Sequence, residues 1–288
     1  MGASLLITLR EGLEISLVLA IIVGYLAKSG RTGYFRQIWL GSGLAVGVCI
    51  IAGLAFRAAV GDLTGKSEQF IEGTLAFSAA AVLTWMIFWM RSHARGMKGD
   101  LHEKLHSALD RSPWALVVVA FVAVAREGFE TVLFLLGAEN EGTTGAQVVV
   151  GGLIGLVIAA VLGVAIYRGG RRVDLGKFFA WTGALLLLFA AGLFAKGVHE
   201  FREFFEIDAS FVAKPLWEVT SGPFASGRGV HDFMNGLLGW SPDPERIRVV
   251  AYFAYLLPIG WLYVRDLAGG FRRKPAAPEA ASASRVLA

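Results

Sequence analysis

The sequence predicts an all-α integral membrane protein with seven transmembrane helices, arranged as two inverted three-helix repeats plus a seventh helix. Three observations lead there. Runs such as 38–56 and 146–167 contain no charged residue, and a bilayer crossing takes roughly 20 apolar residues. Only 17% of the 288 residues are charged and mean hydropathy is +0.59, whereas a soluble domain is typically about a quarter charged. The pentapeptide REGLE at residues 10–14 returns as REGFE at residues 126–130. A soluble protein with buried core helices is a poor alternative, because there are too many apolar runs and too few polar faces to cover them.

Taken in order, the spans fall at about 4–27, 38–60, 69–90, 113–137, 146–167, 178–199 and 248–265. Span one lacks a basic region at its start, and Arg10 and Glu11 interrupt its apolar stretch, so it reads as a retained helix and not a cleaved signal. Span two holds the single cysteine, Cys49, which excludes an intrachain disulfide. Span three opens on Glu68 and Glu72, four apart and on one face. Span four carries the second motif, and span five is uncharged. Span six ends on His199, Glu200 and Glu203. Span seven precedes the tail.

Basic residues orient these spans. Lys28, Arg31 and Arg36 fill one loop, five more lie between 91 and 111, four between 168 and 177, and a further group follows Arg265. All of these lie on one side if the spans alternate, and cytoplasmic loops collect Lys and Arg. The N-terminus is therefore expected outside and the C-terminus in the cytoplasm. The net charge of +4 reports this orientation and calls for no nucleic acid. The seven-helix domain would cover 1–266, with repeat one at about 1–95 and repeat two at about 111–200. An external segment spans about 200–247, in which "HDFMNGLLGW" reads as a short interfacial helix. The tail at 267–288 is small, polar and Pro-containing, a composition that stays disordered.

The repeat shows in the paired motifs and in two GxxxG pairs, Gly43 with Gly47 and Gly151 with Gly155, which allow close helix approach. Three spans is an odd number, so the second copy enters the membrane upside down, a common plan for secondary transporters.

Each motif puts an arginine and two glutamates within roughly a 100° arc, because a helix turns about 100° per residue. With ~1.5 Å of rise per residue, Glu11 and Glu130 lie roughly 10 Å from the outer ends of their spans, and Glu14 and Glu127 roughly 15 Å. Four carboxylates can then converge on one point. Gly12 and Gly128 leave room beside them. Structural ion pairs, Arg10–Glu14 and Arg126–Glu130, leave Glu11 and Glu127 unexplained. Ionisable groups at membrane depth usually mark an ion pathway, and four carboxylates against two guanidiniums invite a cation. Oxygen ligands select hard cations, and no Cys or Met lies near the motifs in sequence, which argues against copper(I). A di-iron enzyme is excluded by spacing: such bundles use Glu-x-x-His, whereas these motifs read Glu-x-x-Glu. A permease of the same build for another hard or divalent cation remains open at this point.

The paired motifs, "KSEQFIEG" at the start of span three, "LTWMIFWMR" at its end, "WALVVVAFVAVAREGFE" and "AAGLFAKG" resemble the oxidase-dependent iron transporter family (EfeU-type ferric iron permeases). The resemblance covers the chain up to the tail. It implies import of iron(III) as transported substrate across the cytoplasmic membrane, with no permanent cofactor. Glu11, Glu14, Glu127 and Glu130 would be ligands supported by Arg10 and Arg126. It also implies an extracytoplasmic iron-oxidising or iron-binding partner. An acidic pair at the place of Glu68 and Glu72 marks them as an ion-receiving site. His199 and Glu203, on one face, are a further outer candidate, and His93, His102 and His106 a candidate exit site.

Overall fold

The computed structural model describes residues 2–60, 64–93, 112–137, 145–169, 175–207, 211–225 and 229–272. They form α1 (Gly2–Lys28), a 3-10 turn (Thr32–Tyr34), α2 (Phe35–Val60), α3 (Lys66–His93), α4 (Pro113–Gly137), α5 (Gly145–Gly169), α6 (Leu175–Phe204), α7 (Gly229–Leu238) and α8 (Arg246–Arg272). No β-strand occurs among the described residues; one isolated antiparallel bridge pairs Pro215 with Glu245. The class is all-α. Five helices, α2, α3, α5, α6 and α8, have the length and hydropathy of membrane crossings. The other two long ones, α1 and α4, run for 27 and 25 residues and carry the charged motifs. The expected span seven, 248–265, belongs to a longer helix that starts at Arg246 and continues to Arg272. The expected interfacial helix is α7, ten residues long. His102 and His106 and residues 273–288 lie outside the described residues.

The distribution of polarity is the reverse of a soluble protein's. Ile51 is 68% exposed, Val157 62% and Trp181 76%, while Arg10 is 3% and Glu11 1% exposed. Apolar side chains stay outside without penalty only where the surrounding medium is itself apolar. The chain is a multi-pass membrane protein.

Packing is pairwise: α1 lies against α5, α2 against α4, α3 against α6, and α6 also against α8. Without a hydrophobic drive between helices in lipid, close approach depends on small residues. On α5 these are Gly155, Ala159 and Gly163, one turn apart. A Cβ at Gly155 would collide with Thr8 and the α1 backbone; Gly12 faces Ala159, and Gly163 faces Ser16. The order of these contacts shows that α1 and α5 run parallel. On α2 the contacts run in the same sense: Gly41 meets Val117 and Ala120, Cys49 meets Gly128, and Gly53 meets Val132. This corrects the expectation for Gly43 and Gly47, which have open space beside them. The row that crosses α4 is Gly41, Ala45, Cys49 and Gly53, offset by two residues from the GxxxG pair. The main apolar core, built on Leu83, Met86, Phe134, Leu186, Ala190 and Leu193, joins α3, α4 and α6.

Candidate metal site

Gly12 and Gly128 are the crossing points of α1 with α5 and of α4 with α2. That fixes the rotation of both motif helices and turns their acidic faces toward each other. One carboxylate oxygen each from Glu11, Glu14 and Glu127 lies within 4.8 Å of the others. Glu130, the fourth expected ligand, is held one turn further along α4, where Arg126 Nε donates to its Oε1 at 3.2 Å. Three of the glutamates keep a buried oxygen with no partner, Glu11 Oε2, Glu127 Oε2 and Glu130 Oε2; Glu14 Oε1 is buried too and meets Arg10 Nη2 at 3.0 Å. Buried polar atoms are almost always satisfied. Unpartnered carboxylate oxygens in and beside a cluster of three carboxylates fit a cation.

The two arginines differ. Arg10 is enclosed. Its Nη1 donates to Glu11 Oε1 at 2.5 Å and to Met86 Sδ at 3.2 Å. Its Nη2 lies against Met90 Sδ and 3.0 Å from Glu14 Oε1. Arg126 is 40% exposed along its side chain, stands 4.0 Å from Glu127 and lies over the Trp89 ring at 4.4 Å. Met86 and Met90 overturn the inference that no sulfur lies near the motifs. Cys49 does too, since it packs on Gly128 of the second motif. All three are distant from the motifs in sequence and are brought in by packing.

The outer candidates also find their places. Glu68 is exposed in the first turn of α3. Glu72 is bonded to the buried Lys196 of α6, at 2.9 Å. His199 and Glu203 gain an unforeseen neighbour, Glu245: His199 Nδ1 lies 3.1 Å from Glu245 Oε2 and Nε2 3.7 Å from Glu203 Oε1. Glu245 is brought there by the segment before α8, which pairs with residues 214–219 through bonds such as Leu216 N–H to Pro244 O at 2.8 Å. The three offer ligand atoms within 4.8 Å. Arg202 is set among them, bonded to Glu203 at 3.2 Å and Glu245 at 2.8 Å. Gln69 of α3 donates to Glu203 at 3.2 Å.

A helical membrane bundle whose buried centre is a partly neutralised carboxylate cluster defines a cation transporter. The particular family follows from comparison: the chain belongs to the iron permease FTR1 family, whose pattern matches residues 1–241. It is 38% identical over 264 residues to the ferrous iron permease EfeU of Escherichia coli O6:H1, covering 88% of this chain and 91% of that protein. It is 36% identical over 257 residues to the ferrous iron permease EfeU of Yersinia pestis, covering 88% and 89%. No solved structure matches. The relatives are permeases and not enzymes, and this chain's family is one of iron transport.

Proposed function

We propose that this protein imports iron across the cytoplasmic membrane through the site built by Glu11, Glu14, Glu127 and Glu130, with Arg10 and Arg126 offsetting part of their charge. The observation that carries it is the cluster of Glu11, Glu14 and Glu127, with buried, unpartnered oxygens on Glu11, Glu127 and Glu130. The architecture is seven spans: two inverted three-helix repeats plus a seventh helix. In support, α1 on α5 and α4 on α2 cross at equivalent motif glycines, Gly12 and Gly128. On that register Gly41, Ala45, Cys49 and Gly53 correspond to Gly151, Gly155, Ala159 and Gly163. Iron reaches the centre from the outer face, where exposed Glu68, Glu72 and the group of His199, Glu203 and Glu245 offer donors. An extracytoplasmic iron-oxidising or iron-binding protein would deliver it there. Oxygen donors suit ferric iron, the state implied by the family resemblance; the relatives' names give ferrous iron.

The test is uptake of radioactive iron by proteoliposomes, presented as ferric citrate or as ferrous iron under ascorbate, with manganese and magnesium as competitors. Iron should accumulate in at least one oxidation state and resist magnesium excess. Equal uptake of manganese or magnesium would instead make the protein a permease of the same build for another cation.

The N-terminus is assigned outside and the C-terminus to the cytoplasm, from the one-sided basic loops. Reporter fusions after residues 32, 62, 100, 142, 172 and 225 should report in, out, in, out, in, out. Two successive fusions on the same side would overturn the span count and the inverted repeat together.

A further inference from the structure

Carboxylates alone leave a selectivity problem. Oxygen donors bind magnesium and calcium readily, and a site of this kind would be occupied by them wherever they are in excess over iron. We infer that Met86 and Met90 supply the discrimination: their thioethers are ligands of the transported ion, making a mixed oxygen–sulfur site that favours ferrous iron over magnesium and calcium. The inference rests on the proposed carboxylate site and deepens it.

The geometry is specific. Met86 and Met90 are four apart on α3, so both sulfurs come off one face, and both are buried, at 1% and 5% exposure. They do not merely fill the apolar core. Each is directed at a different nitrogen of Arg10, whose other contacts are Glu11 and Glu14. The guanidinium thus occupies the volume between two carboxylates and two thioethers. A thioether is a weak hydrogen-bond acceptor, so two of them are a poor choice if the only task is to hold a buried arginine; an amide or hydroxyl would serve better. They are a good choice for a borderline metal ion, since soft ligands select transition metals and carboxylates do not. Glu11 Oε2 and Glu127 Oε2, buried without hydrogen-bond partners, favour a cation here on grounds that do not depend on the sulfurs. Arg10 keeps its place as counter-charge, and the ion binds beside it, where the two thioethers and the carboxylates of Glu11 and Glu14 converge.

The experiment compares wild type, Met86→Leu, Met90→Leu and the double variant, as full chains in proteoliposomes. The substrate is radioactive ferrous ammonium sulfate under ascorbate, with calcium chloride or magnesium chloride as competitor. Leucine conserves volume and apolarity, the kind of core swap that is tolerated best. In the double variant the competitor concentration giving half inhibition should fall about 10- to 100-fold, the range seen when groups tuning a metal site are lost. A purely structural role would lower the amount of inserted protein and leave this ratio unmoved. X-ray absorption of iron-loaded wild type, in a Cys49→Ala background, should show a sulfur scatterer that the double variant lacks. If wild type takes up iron and the competition ratio is unchanged in all three variants, or if no sulfur scatterer is seen, the thioethers are not ligands. If wild type itself takes up no iron, the failure lies with the carboxylate reading beneath.

Discussion

Glu11→Gln and Glu127→Gln should each reduce iron uptake by more than about 100-fold, in membranes holding as much protein as wild type. Groups that only support a metal's ligands typically cost about 10- to 100-fold in affinity or activity, and a ligand should exceed that. Both residues are buried, at 1% and 8% exposure, in a chain whose exposed faces are apolar. Glu127 of α4 brings its carboxylate to those of Glu11 and Glu14 of α1 across the α1–α4 contact. Insertion should not suffer, because a charge at membrane depth costs at least ~2.5–3.5 kcal/mol on insertion scales and its removal relieves that cost. Glu14→Gln and Glu130→Gln should follow the same pattern, since Glu14 belongs to the same cluster and Glu130 keeps an unpartnered buried oxygen. Glu206→Gln, which breaks only a surface pair with Lys66, is the control and should transport normally. Uptake of labelled iron, normalised to inserted protein, is the measurement. Near-normal uptake in any two of the four site variants would remove the four-ligand site.

How far the sequence could be read depended on the range of the interaction. The helices were legible because an uncharged run of the right length has few other outcomes, and the motif helices α1 and α4 were legible despite their charges because REGLE and REGFE keep every ionisable group on one face. The crossing register was not. Gly43 and Gly47 look like a packing pair, but helical rotation is set by all contacts at once, and it turns Gly41, Ala45, Cys49 and Gly53 to α4 instead. The carboxylates of Glu11, Glu14 and Glu127 could be expected together from depth alone. Met86 and Met90 could not: they lie 76 and 80 residues from Arg10, and a Met pair four apart on an apolar helix ordinarily means core packing. Glu245 was invisible for the same reason, since it reaches His199 only through an irregular segment whose pairing no periodicity encodes.

Arg10→Leu should be far more damaging to the fold than Arg126→Leu, although the two arginines occupy equivalent places in the motifs. Arg10 is 3% exposed and touches two carboxylates. Removing one partner of a buried charge pair leaves the other uncompensated and typically costs about 3–5 kcal/mol. Arg126 is less enclosed, with a side chain 40% exposed, and pairs chiefly with Glu130, so its removal strands one carboxylate where that of Arg10 strands two. Melting of the detergent-solubilised protein should therefore fall steeply for Arg10→Leu and less for Arg126→Leu. Adding Glu11→Gln to Arg10→Leu should recover much of the lost stability, because the stranded carboxylate is gone, and the recovered protein should still fail to transport, because a ligand is gone with it. Arg10→Lys separates charge from geometry. Lysine keeps the positive charge but lacks the planar fork that spans Glu11 and Glu14 together, so the variant should insert and still lose uptake. Equal destabilisation by the two leucine variants would mean that Arg10 is not the buried counter-charge of the site. Restored uptake in the Arg10→Leu, Glu11→Gln double variant would mean that these residues only hold helices together.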